Sequence, residues 1–301
     1  MVVPGSPKQR ALLVNLIVHH GQVVSRDRLI EDLWAGSPPS TGLGVLQNYV
    51  SQLRKALGTN IVVTRGPGYL LDTDPRNVDS VRFERLVEQG RTALRAGDPW
   101  HAGEAVSEAL GLWRGPVLAD VAAEVFAQAE ISRLEELRAV AVELRLEAQI
   151  ASGGHREAAA AAEAAVAEHP FRERLCWLLM LALYRSGRQA DALRAYQRAR
   201  TALRDELGLE PGTDLRDLEA AILGQRRDLD DLLATTGPRR RTARRARPAA
   251  APARTGRGVV SHRGLPRRHR RDRRRAPARG RRAGYREDPP PRGSPTACGS
   301  T

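Results

Sequence analysis

The stretch LQNYVSQLRKALG, residues 46–58, places apolar side chains at the spacing of one face of an α-helix. The predicted helix covers about residues 41–57 and ends at Gly58, a residue type suited to the position after a helix C-terminus. Its predicted buried stripe consists of Leu46, Tyr49, Val50, Leu53 and Leu57. Its other faces carry Asn48, Ser51, Gln52, Arg54 and Lys55.

The polar faces of this helix have the chemistry of a DNA-reading surface. Asn and Gln amides pair with adenine edges, Arg pairs with guanine, and Lys or Ser can hold phosphate. An ordinary amphipathic surface helix also has polar outer faces, so the stretch taken alone leaves both interpretations open. The segments on either side of it are needed to choose between them.

Two shorter helices are predicted before this stretch, and a β-hairpin after it. Residues 8–20 carry an apolar helical face, and Ser25 is suited to cap a second helix over residues 26–34. Pro and Gly predict a loop over residues 35–42, and two β-prone runs around Gly-Pro-Gly predict a hairpin over residues 61–71. This order of elements is that of a winged helix, whose third helix enters the major groove of DNA. The hairpin then lies along an adjacent phosphate track.

Residues 76–235 show helical periodicity alone, with a repeat of 34 residues. Gly153 and Gly187 each separate two predicted helices, and small residues recur at the same spacing behind them. The recurring residues are Ala158, Ala162 and Ala165 in one unit and Ala192, Tyr196 and Ala199 in the next. A helix–turn–helix period of this length is typical of TPR units, because small residues let paired helices approach and Gly permits the turn. A weaker unit is predicted around Gly97.

The positive charge is concentrated at the C-terminal end. Residues 238–301 contain 21 arginines and three acidic residues, a net charge of +18, so residues 1–237 carry −4. This Arg-, Pro-, Gly- and Ala-rich segment predicts a disordered tail over residues 236–301. Two origins stay open for it: a basic arm that adds non-specific DNA affinity, or an out-of-frame translation of a GC-rich gene.

The sequence contains none of the common motifs of enzymes, nucleotide sites or metal sites. GxxxxGK[ST], GxSxG, HExxH and CxxC are all absent, so we expect no enzymatic activity, no cofactor and no metal. Cys176 and Cys298 lie 122 residues apart, which fits no zinc spacing, and Cys176 is predicted to be a core residue. Without a signal peptide or an apolar run of ~18 residues, the chain is predicted to be cytoplasmic, with no membrane partner.

Five segments of the sequence resemble a known family when they are taken together and in order. GSPKQRALLVNLIVHHGQVVSRDRLIEDLW, QNYVSQLRKALG and RGPGYLL resemble the OmpR-type winged helix of SARP-type activators of antibiotic pathways. ALGLWRGPVLAD and ERLCWLLMLALYRSGRQADALRAYQRARTALRDELGLEPGTDL resemble the bacterial transcriptional activation domain that follows it in that family. The order and spacing match across about residues 5–223.

The resemblance also sets an expectation for the N-terminus. Family members usually begin with a small antiparallel sheet, which has no counterpart in residues 1–4. We therefore expect the winged helix to lack this platform and part of its first helix to be exposed. A start upstream of the assigned one, or a truncated gene, would explain the difference.

The resulting fold class is mainly α, with a winged helix over residues 1–75, a TPR-like activation domain over residues 76–235 and the basic tail. The resemblance implies an activator that binds direct repeats near a promoter, often as a homodimer, and recruits RNA polymerase. It assigns DNA contacts to Thr41, Asn48, Ser51, Gln52, Arg54, Lys55 and, in the hairpin, Arg65. Two alternatives remain: a TPR-like protein-binding scaffold whose winged helix is vestigial, and a non-specific nucleic-acid binder driven by the tail.

Overall fold

The structure, a computed structural model, describes residues 5–226 together with Leu229 and Leu233. All of these residues belong to one compact unit, Met1–Thr242. The predicted tail over residues 236–301 lies outside the described residues. In the described part of the chain, no helix is both long enough and apolar enough to cross a lipid bilayer.

The first part of the chain forms a winged helix, in the predicted order of elements. Its elements are α1 (Pro7–Val18), β1 (Val24–Ser25), α2 (Arg26–Trp34), α3 (Gly42–Leu57), β2 (Val62–Arg65) and β3 (Gly68–Leu71). The α1 helix begins at Pro7 because Ser6 and Gln9 form a capping box: each side chain accepts a hydrogen bond from the other residue's backbone N–H. Ser25 caps α2 as predicted, since its side chain accepts a hydrogen bond from the Arg28 N–H.

The small sheet has the order β1-β3-β2 and is antiparallel throughout. The sequence predicted the β2–β3 hairpin, and this prediction is confirmed. It did not predict β1, which is only two residues long and pairs Val24 with Tyr69 and Ser25 with Gly68. Two residues are too few to show the alternation of apolar and polar side chains that is typical of a strand. Only the pairing with β3 identifies β1.

The remaining elements are helical and confirm the predicted repeat. They are α4 (Asp79–Arg95), α5 (Pro99–Gly111), α6 (Val125–Ala151), α7 (His155–Glu168), α8 (Glu173–Arg185), α9 (Gln189–Ala202) and α10 (Thr213–Leu223), with 3₁₀ turns at Pro75–Asn77 and Ala119–Val121 and a π turn at Leu203–Leu207. Gly97, Gly153 and Gly187 all have φ between 77° and 86°, the left-handed conformation that ends one helix before the next begins. The unit around Gly97, which the sequence marked as weaker, is equally well formed.

The long helix α6 connects the separate parts of the core. Ala127, near its start, packs into the core of the winged helix, Leu134 packs with α4 and α5, and Leu146 packs with α7 and α8. Cys176 on α8 is buried in the last of these clusters, and burial raises the pKa of its thiol to about 12. The prediction that Cys176 is a core residue is therefore confirmed.

The helical domain covers the first helix of the winged helix. Beyond Pro7, no residue of α1 is exposed. Lys8 pairs with Glu124 at 3.2 Å, and Val121 packs into the same cluster as Leu12. The expectation that part of α1 would be exposed is therefore wrong, because segments more than a hundred residues later in the chain pack against it.

Candidate nucleic-acid interface

The α3 helix is held to the body of the winged helix by one face. Leu46, Val50 and Leu53 are each no more than 1% exposed and pack with Leu12 of α1 and Leu29 of α2. Two further members of the predicted stripe, Tyr49 and Leu57, are partly buried at its margins. Burying this stripe fixes which side of α3 faces solvent.

The opposite face of α3 presents a row of exposed polar side chains. Asn48, Ser51, Gln52 and Lys55 are spaced by three, four and seven residues, so they share one face of the helix, and all four are exposed. Thr41 is the exposed residue that precedes α3, and its side chain makes no capping hydrogen bond. The structure therefore brings together five of the seven residues predicted from the sequence.

These side chains are available for an external partner. Within the described residues, neither the four side chains on the face nor that of Thr41 forms a hydrogen bond or an ion pair. Donors and acceptors aligned on one exposed helix face can bind base edges or phosphate oxygens without first breaking contacts inside the protein.

The electrostatics of this region favour an anionic partner. Residues 35–71 contain three cationic side chains, Arg54, Lys55 and Arg65, and no carboxylate. In the helical domain, by contrast, several arginines are paired with carboxylates: Arg133, for example, pairs with both Glu84 and Glu130. None of these three cations forms an ion pair within the described residues, so the positive charge of α3 and the hairpin suits a nucleic-acid backbone.

Arg54 occupies a different position from the other predicted contacts. It lies about 100° around the helix from Lys55, one residue away. Its Nε donates a hydrogen bond to the Val62 carbonyl at 2.7 Å, and its Nη2 donates one to the Thr64 hydroxyl at 2.9 Å. The guanidinium thus connects α3 to strand β2, and its predicted contact with a base stays a prediction.

The hairpin is supported from behind by β1 and the start of α2. Gly68 is buried, and a Cβ atom at this position would overlap the carbonyl oxygen of Val24. The Arg26 N–H donates a hydrogen bond to the Pro67 carbonyl at 3.2 Å, and the Arg26 guanidinium lies over the Tyr69 ring at 5.8 Å. Tyr69 is 4% exposed and packs the hairpin onto the helices.

These supports leave Arg65 exposed at the end of β2, next to the turn. The sequence predicted the position of Arg65 in the hairpin but not the supporting roles of Gly68 and Arg26. The available signal was the second glycine of the Gly-Pro-Gly turn, since a buried glycine in a strand often marks a close backbone approach.

Comparisons with known proteins agree with both parts of the fold. Residues 2–71 match the family described as "Transcriptional regulatory protein, C terminal". Residues 78–223 match the family described as "Bacterial transcriptional activator domain". The boundary between the two matches coincides with the segment between β3 and α4, where the winged helix gives way to the helical repeats.

Individual proteins with both parts are also similar to this chain. The regulatory protein DnrI of Streptomyces peucetius is 39% identical over 233 residues, which cover 74% of this chain and 86% of DnrI. The regulatory protein AfsR of Streptomyces griseus is 41% identical over 219 residues, which cover 73% of this chain but only 22% of AfsR. This chain thus spans most of DnrI and less than a quarter of AfsR.

A solved structure has the same architecture. The structure of Mycobacterium tuberculosis EmbR in complex with a low affinity phosphopeptide superposes with a TM-score of 0.75 at 39% sequence identity. The superposition covers 78% of this chain and 64% of the EmbR chain.

Proposed function

The chain belongs to the SARP family of transcriptional activators, and from this premise we propose that it binds DNA in a sequence-specific manner through α3 and the β2–β3 hairpin. We further propose that it activates genes of a secondary-metabolite cluster, in keeping with the family's role in antibiotic pathways. Neither the winged helix nor the helical domain supplies a reaction in this proposal; each provides a binding surface.

One observation carries the proposal: a buried stripe anchors α3 while its opposite face stays exposed, polar and unpaired within the described residues. We assign Asn48 and Gln52 to base edges, because amide side chains can form two hydrogen bonds with adenine. We assign Ser51 and Lys55 to phosphate oxygens. The DNA proposal gives each of these side chains a binding partner, whereas the scaffold alternative gives them none.

In this proposal the other predicted residues either contact the phosphate backbone of DNA or position the hairpin. Thr41 stands at the N-terminus of α3, where the backbone N–H groups and the helix dipole favour a phosphate. Arg65, in the hairpin, contacts the phosphate backbone or the minor groove beside the α3 site. Arg54 holds the hairpin at the correct distance from α3, and any contact it makes with a base is additional to that role.

The helical domain is proposed to provide protein contacts. Activators of this family bind direct repeats near a promoter, so we propose that two copies bind adjacent repeats and that α4–α10 mediate dimerisation and RNA polymerase recruitment. The protein would then act at the nucleoid.

Footprinting of the full chain on promoters next to its own gene tests this function. We expect two protected segments about one helical turn of DNA apart, or a multiple of that distance. Gln52→Ala should abolish or weaken both, whereas Gln47→Ala should not, because Gln47 is also exposed but lies ~140° around the helix. Protection of all sequences alike, unchanged by Gln52→Ala, would instead identify a non-specific basic binder.

The scaffold alternative predicts a different outcome in the same assay. A protein-binding scaffold would capture a partner and give no footprint on any neighbouring promoter. Lys55→Ala gives an independent check on the DNA contact. If Lys55 binds phosphate, the slope of log affinity against log salt concentration should fall by about 1.

A further inference from the structure

A cavity of about 740 Å³ lies where the winged helix meets the helical domain. The winged helix contributes Leu13 of α1, Leu57 at the end of α3 and Leu71 at the end of β3. The helical domain contributes Phe83 of α4 and the loop over residues 112–119. Small-molecule sites in proteins usually measure ~300–1,000 Å³, so this volume suits a ligand of moderate size.

The lining of the cavity is apolar, with polar groups in a minority. Phe83 and Trp113 form an aromatic corner, with their rings edge to face and centroids 5.4 Å apart. Asn77 also lines the cavity, and an exposed ion pair at 2.6 Å joins the bordering residues Arg114 and Asp79. Such a lining favours an occupant with a large apolar or aromatic surface and a hydrogen-bonding group, because a charged body would lose its hydration against hydrocarbon.

The loop that forms one wall is held in a strained conformation. Leu118 has φ 49° and ψ 34°, the left-handed region that non-glycine residues seldom adopt. Its side chain packs against the core of the winged helix, which keeps the loop in this shape. Backbone strain of this kind persists only where surrounding contacts impose it, and it is frequent at ligand-binding walls.

The loop that lines the cavity leads directly into the residues that pair with α1. Lys8 pairs with Glu124 at 3.2 Å, and Arg10 pairs with Asp120 at 3.7 Å. The cavity also contacts Leu57, the last residue of the helix that we assign to the major groove. An occupant would therefore touch both domains and the C-terminal end of α3 at once.

We propose that this junction cavity is a binding site for a predominantly apolar small molecule, whose occupation fastens the winged helix to the helical domain. Binding itself does not depend on the proposed DNA function. Only its consequence for operator affinity rests on that function. A ligand that prefers one arrangement of the domains changes the affinity of the protein for DNA, and DNA binding then changes the affinity for the ligand by the same factor.

Fluorescence titration with N-phenyl-1-naphthylamine, a neutral aromatic probe, tests the proposal on the full chain without DNA. We expect saturable binding of one probe per chain. Val117→Phe places a ring in the cavity and should weaken probe binding at least tenfold. Val125→Phe is the matched control, because Val125 is 79% exposed and lies outside the cavity; it should leave the probe affinity unchanged within twofold.

A second variant fills the cavity from the opposite wall, in case Val117→Phe does not fold. Leu13→Phe on α1 should weaken probe binding by a similar factor, and circular dichroism should show unchanged helix content in both variants. Equal probe affinity in wild type and both variants would overturn the proposal, and so would binding that never saturates. The proposal would also be overturned if the probe affinity fell as the protein concentration rose, because that result would mean that a second copy of the protein covers the cavity.

Failure of the two proposals can be told apart. If the probe binds as expected and footprinting fails, the cavity proposal stands and the DNA assignment does not. If footprinting succeeds and the probe does not bind, only the cavity proposal is rejected.

Discussion

Replacing Arg54 with Ala separates the two roles that this residue could have. The substitution removes two hydrogen bonds donated by a cationic side chain, to the Val62 carbonyl at 2.7 Å and to the Thr64 hydroxyl at 2.9 Å. A hydrogen bond to a charged group contributes about 1.5–3 kcal/mol. Thr64 is exposed and the second bond competes with water, so we expect a total loss of about 1.5–2 kcal/mol.

The loss should be local to the hairpin, so native-state hydrogen exchange is the suitable assay. Backbone amides of β2 and β3 should exchange roughly 10–30-fold faster in Arg54→Ala, because each 1.4 kcal/mol of opening free energy is a factor of ten. Amides of α8 should exchange at the wild-type rate. Arg54→Lys keeps the charge but not the two-pronged donor geometry, so it should lose most of the same protection.

Operator binding then distinguishes positioning from base recognition. A positioning residue lowers affinity for every operator by a similar factor, whereas a base-reading residue relaxes the preference at one base pair. We expect Arg54→Ala to behave in the first way. Wild-type exchange rates in β2 and β3, together with a lost preference at a single base pair, would refute this reasoning.

Three further predictions concern recognition, packing and pH. Gln52→Ala should cost ~1–3 kcal/mol of operator binding free energy in a gel-shift titration, because a base contact is lost, and Gln47→Ala should cost little. Gly68→Ala should lower the free energy of unfolding by about 1–3 kcal/mol or more in a urea titration, because the added Cβ overlaps the backbone of β1. His101 Nδ1 donates a hydrogen bond to Asp98 at 2.6 Å, which raises the pKa of His101. The stability that the His101–Asp98 pair contributes is then complete below the pKa of His in the unfolded chain and is lost as pH rises through the higher pKa in the folded protein. The difference in Tm between wild type and His101→Gln should therefore shrink from pH 5.5 to 8.5.

For each of these predictions, one result would contradict the reasoning. Equal operator affinity of Gln52→Ala and wild type would remove α3 from base recognition. For the hairpin, Gly44→Ala is the matched control: no neighbouring atom lies within 4 Å of the added Cβ, so it should stabilise α3 by about 0.5–1 kcal/mol. A Gly68→Ala protein as stable as wild type would contradict the close approach of β1. A Tm difference for His101→Gln that grows with pH would contradict the sign of the pKa shift.

Local patterns in the sequence were sufficient for the helices, for the β2–β3 hairpin and for the residues on the exposed face of α3. The apolar spacing of residues 46–58 predicted α3 and its exposed face, and the 34-residue period predicted the helical repeats. Both signals depend on neighbours within one or two helical turns, or on glycines that need a left-handed backbone. Such signals can be recognised in the sequence without the tertiary structure, because helix periodicity and turn conformations are properties of short segments.

What the sequence by itself determined is therefore the order of the helices and the hairpin, the buried side of α3 and the polar residues opposite it. Only the tertiary structure decided that Arg54 binds the hairpin, that β1 supports Gly68 and that the helical domain covers α1. The Lys8–Glu124 pair spans 116 residues, and no local pattern specifies a partner at that distance. Contacts of this kind follow from how the finished elements pack, and so does the cavity between the two domains.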